Sequence, residues 1–331
     1  MKQPLVSIVM AAFNAQKYIR ESIDSILDQT FQKYEFIIID DGSTDNTVEI
    51  LNSYSDSRLI IIRNERNIGL AGSLNKGLDK SIGKYIARMD ADDISEKNRI
   101  EKQVLTLEEH PEIGICGTWC QLFGELAAIK RVPVNDDNIR IELLSENPFI
   151  HPTVMLRKEI IEHYKLRYDS TMKSAQDYNL WLQFAMKSVM HNIPEVLLKY
   201  RIHFTNTTKI RREEQLEYSK QVVIHLLEFL IEDTITPDYI IFNSQGRAFL
   251  NGNPMEFDAL SKKILLANYK MKFFNKKLLL NYLCENLLFN FYEWRNYKPE
   301  FLKLIMNPVF KKIPFKSKAS FAYKAISNWR K

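Results

Sequence analysis

Four apolar runs of strand length alternate with helical stretches over residues 5–89. The runs cover residues 5–12, 34–39, 59–62 and 85–89, and none of them alternates between apolar and polar side chains. Between the first two, Ile19, Ile23 and Ile26 recur at helical spacing. Continuous apolar strands are typical of a parallel sheet that is covered on both faces by helices. The sequence therefore predicts an α/β fold with a mostly parallel, Rossmann-like sheet flanked by helices.

Length and composition indicate a soluble globular protein. A chain of 331 residues suggests about two domains, and no run approaches the roughly 18 apolar residues of a membrane span. We interpret the N-terminal apolar run as the first core strand rather than as a signal peptide. Three cysteines do not suggest a disulfide framework, so a reducing, cytoplasmic compartment is expected.

Charge is distributed unevenly along the chain. Residues 255–331 contain 16 Lys and Arg against 5 Asp and Glu, whereas residues 1–254 contain 30 against 36. The basic segment is also rich in aromatic residues. Basic, aromatic helices bind the headgroup layer of anionic membranes, and the alternative is a helical subdomain that packs its aromatic side chains inward. We expect peripheral membrane contact through residues 255–331 as one of these two outcomes.

Acidic residues follow two of the predicted strands. Asp40 and Asp41 end the second strand, and Asp90 and Asp92 end the fourth. Ligands of open α/β sheets bind beyond the carboxyl ends of the strands. Residues two apart share a face, so Asp90 and Asp92 can bind one divalent cation such as Mg²⁺, together with the phosphates of a nucleotide. The alternative is a solvated acidic turn.

The turn at residues 40–45 has two interpretations. An Asp-Gly turn that enters a capped helix explains it structurally, whereas a carboxylate that accepts a hydrogen bond from a uracil N–H explains it functionally. Neither glycine-rich phosphate-binding signature occurs in the chain. Phosphate charge must therefore be neutralised by a metal ion or by side chains.

Several segments together resemble the family 2 glycosyltransferases of the GT-A fold. They occur in the family's order and spacing: SIVMAAFNAQKYI from residue 7, SILDQT from residue 25, DDGSTD from residue 40, NIG from residue 67, LNKG from residue 74 and DADD from residue 90. The match covers about the first 205 residues. Its departure at Ala11, where the family often has proline, should matter little because this residue contributes mainly backbone.

The resemblance implies a nucleotide site at the ends of the first three strands. Phe13, two residues after Ala11, would lie beside the uracil ring, and Asp40 or Asp41 would accept a hydrogen bond from its polar edge. Asn67 would help to hold the nucleoside. The donor implied is a UDP-sugar, and the enzyme class is a hexosyl- or N-acetylhexosaminyltransferase.

The resemblance also implies a metal site and a catalytic base. Asp90 would contact the ribose and the metal, and Asp92 would bind Mn²⁺ or Mg²⁺ at the diphosphate. His203, after a Tyr-Arg pair, can complete the metal site, although a surface histidine is an equal alternative. Asp177 occupies the position of the family's catalytic base, but Gln176 replaces the glutamate that usually precedes it.

Residues 174–177 also fit a structural motif. Ser174 and Asp177 have the spacing of a capping box, in which the aspartate only satisfies a backbone N–H at a helix start. From the residues alone this is the better interpretation. The resemblance favours catalysis instead.

Two domains are predicted: a GT-A catalytic domain over residues 1–210, and a mainly helical, basic region over residues 211–331. We expect an inverting, metal-dependent transfer of sugar to a glycan or lipid-linked oligosaccharide in surface polysaccharide biosynthesis, and no nucleic-acid partner. The alternatives are a sugar-phosphate nucleotidyltransferase, which releases pyrophosphate, and a non-catalytic nucleotide- or nucleic-acid-binding module.

Overall fold

The computed structural model describes residues 3–203, 212–243 and 246–290. The chain forms two compact units. The first comprises residues up to 139 together with 147–218, and the second comprises residues 140–146 and those from 219 onward. That the two regions divide at residue 210 as separately folding domains stays a prediction.

The first half of the main sheet is parallel. Its strands are β1 (Val6–Ala12), β2 (Tyr34–Asp40), β3 (Leu59–Arg63) and β4 (Tyr85–Asp90), in the order β3-β2-β1-β4. This is the order that right-handed strand-helix-strand crossovers produce. The arrangement confirms the predicted mostly parallel sheet.

The second half of the sheet contains antiparallel pairs. It is built from β5 (Ile94–Ser95), β6 (Ile113–Gly124), β7 (Ala128–Lys130), β8 (Met155–Arg157) and β9 (Val189–Ile202). Beyond β4 the order is β8-β6-β9-β5, and β7 pairs with β6. The β4–β8, β8–β6 and β9–β5 pairs are antiparallel, whereas β6 and β9 run parallel.

Helices cover the sheet of the first unit. They are α1 (Ile19–Leu27), α2 (Thr47–Asn52), α3 (Leu70–Lys80), α4 (Arg99–Glu109), α5 (Asp136–Glu142), α6 (Lys158–Tyr164) and α7 (Gln176–Ala185). The predicted helical stripe of Ile19, Ile23 and Ile26 is fully buried in the core, against strand residues such as Ile8 and Phe36. Burial of these apolar faces fixes the helices on the sheet.

The edge strand β3 differs from the expectation of burial on both faces. Ile60 and Ile61 keep 39% and 37% of their surface exposed. The reason is position, because β3 is the terminal strand and only β2 pairs with it. In contrast, every residue of β2 is buried.

The second unit is mainly helical, as the sequence predicts. It contains most of α8 (Arg212–Ile231), the hairpin of β10 (Ile240–Phe242) and β11 (Ala248–Leu250), α9 (Pro254–Met271) and α10 (Lys276–Asn290). A capping box formed by Asn253 and Glu256 starts α9. Among the residues described, no helix has the length and hydropathy to cross a bilayer. Predicted helices beyond residue 290 lie outside the described residues.

Candidate active site

Strand register brings the two acidic segments to one edge of the sheet. Ala12 of β1 pairs with Asp40 of β2, and Ala11 pairs with Asp90 of β4 on the other side. The two aspartates therefore flank the last two residues of β1, immediately before Phe13. This edge is the carboxyl end of the parallel strands, where α/β proteins bind ligands.

The Asp40–Asp41 pair is buried and organises the neighbouring loop. Asp41 Oδ1 accepts hydrogen bonds from Asn64 Nδ2 at 2.8 Å and from the backbone N of Ile68 at 2.9 Å, while Oδ2 accepts one from Gly69 at 2.9 Å. Asp40 Oδ2 lies 3.3 Å from Arg63 Nε. Asp41 thus fixes the start of α3.

An exposed aromatic ring and an exposed amide border this acidic pair. Phe13 keeps 48% of its surface exposed, which is unusual for a large apolar side chain at the end of a core strand. Asn67 is exposed as well, and its Oδ1 accepts a hydrogen bond from Gly69 N at 3.0 Å. Gly42 has φ +75°, and a Cβ there would lie 3.0 Å from the backbone N of Asn67. Glycine therefore allows the two loops to approach.

Three carboxylates converge after β4. One oxygen from each of Asp90, Asp92 and Asp93 lies within 4.8 Å of the others. Asp93 is fully buried, whereas the side chains of Asp90 and Asp92 are 27% and 30% exposed. Burial raises the pKa of Asp93 well above its ordinary value, and the charges of Asp90 and Asp92 raise it further. Such a cluster of hard oxygen ligands fits Mg²⁺ or Mn²⁺.

The end of β9 is tied to this cluster. Arg201 N donates to Asp93 Oδ1 at 2.8 Å, and Arg201 Nε donates to the carbonyl oxygen of Asp92 at 2.8 Å. Two residues later, His203 Nε2 lies 3.0 Å from Asp92 Oδ2. His203, predicted to complete the metal site of Asp90 and Asp92, is therefore adjacent to Asp92.

A buried cation lies beside the carboxylates. Arg88 on β4 is 3% exposed, and its Nη1 forms an ion pair with Asp90 Oδ1. Burial lowers the pKa of Arg88, but the nearby carboxylates of Asp90 and Asp93 outweigh this effect and raise it. Arg88 remains charged and offsets part of the negative charge of the site.

Asp177 lies at the start of α7 and is not part of a capping box. The N-cap residue is Ala175, in the left-handed conformation with φ +56°, and no side chain caps the helix. Instead, Asp177 Oδ2 accepts a hydrogen bond from Asn147 Nδ2 at 2.7 Å. A non-glycine residue with positive φ is strained, which is common next to functional residues. The structure thus removes the capping-box alternative.

Asp177 and the acidic cluster share one electrostatic environment. Burial raises the pKa of Asp177, while the N–H of Tyr178, the Asn147 amide and the Arg88 guanidinium act in the opposite direction. The negative charge of Asp177 in turn raises the pKa of Asp90. The two carboxylates, 87 positions apart in the sequence, therefore lie close enough to interact electrostatically with each other and with Arg88.

His151 is held as a neutral side chain near the same cation. Its Nε2 lies 3.0 Å from the Tyr168 hydroxyl, and its ring packs against Trp181 with centroids 5.8 Å apart. Burial lowers the pKa of His151 well below its ordinary value, and the charge of Arg88 lowers it further.

Three residues of the site were missed by reasoning from the sequence. Asp93 was recognised as acidic but not as part of the cluster, and Arg88 and Asn147 received no role. The sequence does contain a signal for Arg88, because a charge within an apolar strand must be paired when buried. Asn147 offers no such signal, since its contact with Asp177 depends on the fold.

Comparison with known proteins identifies the family. The model of "Glycosyl transferase family 2" matches residues 7–165. An uncharacterised glycosyltransferase of Haemophilus influenzae is 37% identical over 232 residues, which are 66% of this chain and 72% of the relative. The chain belongs to glycosyl transferase family 2. Its family 2 relatives include the O-antigen biosynthesis glycosyltransferase WbnJ of Escherichia coli, 36% identical over 70% of this chain and 91% of the relative.

Solved structures confirm the GT-A fold of this family 2 glycosyltransferase. Residues 1–349 of S. aureus TarS in complex with UDP-GlcNAc superpose with a TM-score of 0.56 at 16% identity, covering 86% of this chain and 91% of that TarS chain. The mannosyltransferase PcManGT of Pyrobaculum calidifontis, in complex with GDP-Man and Mn²⁺, superposes with a TM-score of 0.54 at 16% identity, covering 99% and 86%. At these identities the likeness concerns the fold.

Proposed function

We propose that the protein is an inverting, metal-dependent glycosyltransferase that moves a hexosyl or N-acetylhexosaminyl group from a UDP-sugar to an acceptor hydroxyl. One observation carries this proposal: Asp177 interacts electrostatically with Asp90 of the Asp90–Asp92–Asp93 cluster and with Arg88, the buried cation that forms an ion pair with Asp90. A potential base and a potential metal site are thereby combined at one sheet edge.

The nucleoside would bind at the ends of β1 and β2. Phe13 is free to stack on the uracil ring, Asp40 or Asp41 accepts from its N–H, and the backbone of Ala11 and the side chain of Asn67 border the site. The complex of TarS with UDP-GlcNAc supports a uridine donor in this fold. Asp90 would also contact the ribose.

The metal would be held by Asp90 and Asp92, with His203 as a further ligand. When bound, Mn²⁺ or Mg²⁺ neutralises the negative charge that develops on the leaving diphosphate. The Mn²⁺ complex of PcManGT supports this assignment. Asp93 is already committed to the backbone of Arg201, so we assign it to shaping the loop rather than to the metal.

Asp177 would act as the general base. Its carboxylate takes the proton of the acceptor hydroxyl while that oxygen forms a bond to the anomeric carbon. The bond between this carbon and the diphosphate oxygen breaks on the opposite face, and UDP leaves with the electron pair. Attack from the face opposite the leaving group inverts the configuration at the anomeric carbon.

We assign the acceptor to a glycan or lipid-linked oligosaccharide of a surface polysaccharide, made at the cytoplasmic side of the membrane. The similarity to WbnJ, named for O-antigen biosynthesis, supports this class. The acceptor's reacting group would be a hydroxyl, whose proton the carboxylate base removes as the oxygen attacks.

One surface of the second unit suits contact with an anionic membrane. Met255, Leu266 and Tyr269 of α9 are 52%, 59% and 80% exposed, and their spacing places them on one face of the helix. Lys262 and Lys270 are exposed along the same face. An apolar stripe bordered by lysines fits the headgroup layer of an anionic bilayer. The rest of the proposed segment, residues 291–331, lies outside the described residues.

The proposed reaction is tested by the product released from the donor. A panel of UDP-sugars is incubated with the full chain and Mn²⁺, with and without lipid extract as acceptor, and free UDP and pyrophosphate are measured. Metal-dependent release of UDP supports the glycosyltransferase, whereas pyrophosphate indicates a nucleotidyltransferase. If neither UDP nor pyrophosphate is released, and UDP with Mn²⁺ does not change the thermal stability of the protein, the proposal is contradicted. Asp92→Ala should abolish the metal-dependent stabilisation by UDP.

A further inference from the structure

We propose that Asn147 is a positioning residue for Asp177, fixing the carboxylate so that one oxygen is held by the protein and the other is directed to the acceptor. The inference rests on the proposed role of Asp177 as base. It adds a residue for which the sequence motifs provide no assignment.

The Asn147 side chain is fixed at both of its ends. Its Oδ1 accepts a hydrogen bond from the backbone N of Phe149 at 3.1 Å, which leaves its amide hydrogens on the side of Asp177. Nδ2 then donates to Asp177 Oδ2 at 2.7 Å. Because the oxygen is committed to the backbone, the amide cannot rotate to turn its acceptor toward the carboxylate without losing a hydrogen bond.

The segment that carries Asn147 is packed against the helix that carries Asp177. Phe149 contacts Trp181 of α7 with ring centroids 5.6 Å apart, one helical turn beyond Asp177. The aromatic contact therefore joins the segment that carries Asn147 to α7. Separately, Asn192 of β9 donates from Nδ2 to the carbonyl oxygens of Pro148 and Pro133 at 3.2 and 2.7 Å.

The hydrogen bond also favours the ionised carboxylate. A base must be ionised to accept a proton, and an amide that donates to a carboxylate stabilises the charged form. The other groups that affect Asp177 are the backbone N–H of Tyr178 and the Arg88 guanidinium, which have the same effect, and Asp90, whose negative charge opposes ionisation. Tyr168 is neutral, because burial raises its pKa. Substitution of Asn147 removes a hydrogen-bond donor to Asp177 without changing the net charge of the site.

The experiment compares Asn147→Ala and Asn147→Asp with wild type, using the UDP-sugar of the panel that gives the fastest UDP release. Asn147→Ala should lower kcat about 10- to 100-fold with KM for the donor unchanged. In the pH profile of kcat/KM, the midpoint of the acidic limb should move to a higher pH by about one unit. Asn147→Asp should raise this midpoint further, because two adjacent carboxylates share one proton. Asn147→Gln should not show the wild-type pH profile, because the longer glutamine side chain displaces the amide from Asp177.

Asn192→Ala is the matched control. It removes a buried β9 amide that donates to Pro148, next to Asn147, but has no hydrogen bond with Asp177. The variant should therefore lower thermal stability and leave the midpoint of the acidic limb unchanged. If Asn147→Ala also loses only stability, Asn147 is merely structural and the proposal is overturned. Equal shifts of the acidic-limb midpoint in Asn147→Ala and Asn192→Ala would also overturn the proposal.

A second measurement does not require turnover. The Asp177 carboxyl carbon is followed by ¹³C NMR titration without metal, and its signal is identified by its loss in Asp177→Asn. The pH midpoint of the Asp177 titration should rise in Asn147→Ala and not in Asn192→Ala. An unchanged midpoint in Asn147→Ala would refute the role of Asn147. Failure of the proposed function has a different signature, namely full transfer activity in Asp177→Asn.

Discussion

His203 Nε2 and Asp92 Oδ2 lie 3.0 Å apart, although 111 positions separate the two residues in the sequence. The contact depends on Arg201, whose backbone and side chain are hydrogen bonded to Asp93 and Asp92. We propose that in this arrangement His203 would either bind the metal directly or orient Asp92 toward it.

His203→Ala should weaken metal-dependent UDP binding about 10-fold. Imidazole is accepted by Mn²⁺ more readily than by Mg²⁺, which prefers oxygen ligands, so the loss should be larger with Mn²⁺. Titration calorimetry of UDP with each ion measures the effect. Exposed His110→Ala serves as the control and should bind UDP as wild type does. Identical losses with both ions would argue against a metal ligand.

Arg88→Met should destabilise the protein, because Asp90 and Asp93 lose their buried cation. Breaking a buried ion pair by removing one partner costs about 3–5 kcal/mol in the free energy of unfolding. Saturating Mn²⁺ should reduce this deficit, since the metal supplies positive charge to the same carboxylates. Urea unfolding with and without Mn²⁺ provides the measurement.

A second buried arginine provides the comparison for Arg88. Arg157 is 7% exposed and donates to the carbonyl oxygens of Ile113 and Leu107 rather than to a carboxylate of the site. Arg157→Met should destabilise the protein to an extent that Mn²⁺ does not change. A deficit in Arg88→Met that is equally insensitive to Mn²⁺ would contradict the proposed charge compensation.

Glu142→Gln should stabilise the protein at alkaline pH. Burial raises the pKa of Glu142 to about 7, and a hydrogen bond with Glu146 contributes, whereas Arg247 lowers it. The folded state thus binds this proton more tightly than the unfolded chain. Its stabilising contribution is complete below the ordinary glutamate pKa and is lost as the pH rises through 7.

The measurement is the melting temperature of wild type and Glu142→Gln from pH 5 to pH 8. The difference in favour of the variant should grow with pH, since glutamine stays neutral. Exposed Glu109→Gln is the control and should give a constant difference. A Glu142→Gln difference that does not change with pH would show that Glu142 is already ionised in the folded protein.

Leu266→Glu combined with Tyr269→Glu should reduce binding to vesicles that contain phosphatidylglycerol. The variant removes the apolar centre of the exposed face of α9 and adds negative charge. Sedimentation with anionic and zwitterionic vesicles measures binding, which should also weaken in high salt. Leu105→Glu changes an equally exposed leucine of α4 and should bind as wild type does. Absence of binding by the unmodified chain at low salt would dismiss the membrane proposal.

The fold was largely predictable because its strands and helices follow from local patterns. The predicted helical stripe of Ile19, Ile23 and Ile26 lies on α1 and is buried, and the predicted second strand is buried throughout. Exposure of Ile60 and Ile61 was not predictable, because strand order decides which continuous apolar strand lies at the edge.

The site was predictable only in part. Asp90, Asp92 and Asp177 belong to recognisable motifs, and sheet topology requires the first two to lie at the strand ends. The contacts Asn147–Asp177 and Arg88–Asp90 depend on side-chain orientation and on the packing of distant segments. Nothing in the local sequence around Asn147 distinguishes it from an ordinary turn residue.

The most direct test of the account is UDP release by Asp177→Asn, measured with the preferred UDP-sugar, Mn²⁺ and acceptor. Asparagine preserves the size of the side chain but cannot take the acceptor's proton, so transfer should fall about 10²- to 10⁴-fold. Binding of UDP with Mn²⁺ should stay at the wild-type value. Transfer by Asp177→Asn at most of the wild-type rate would contradict the assignment of Asp177 as the base.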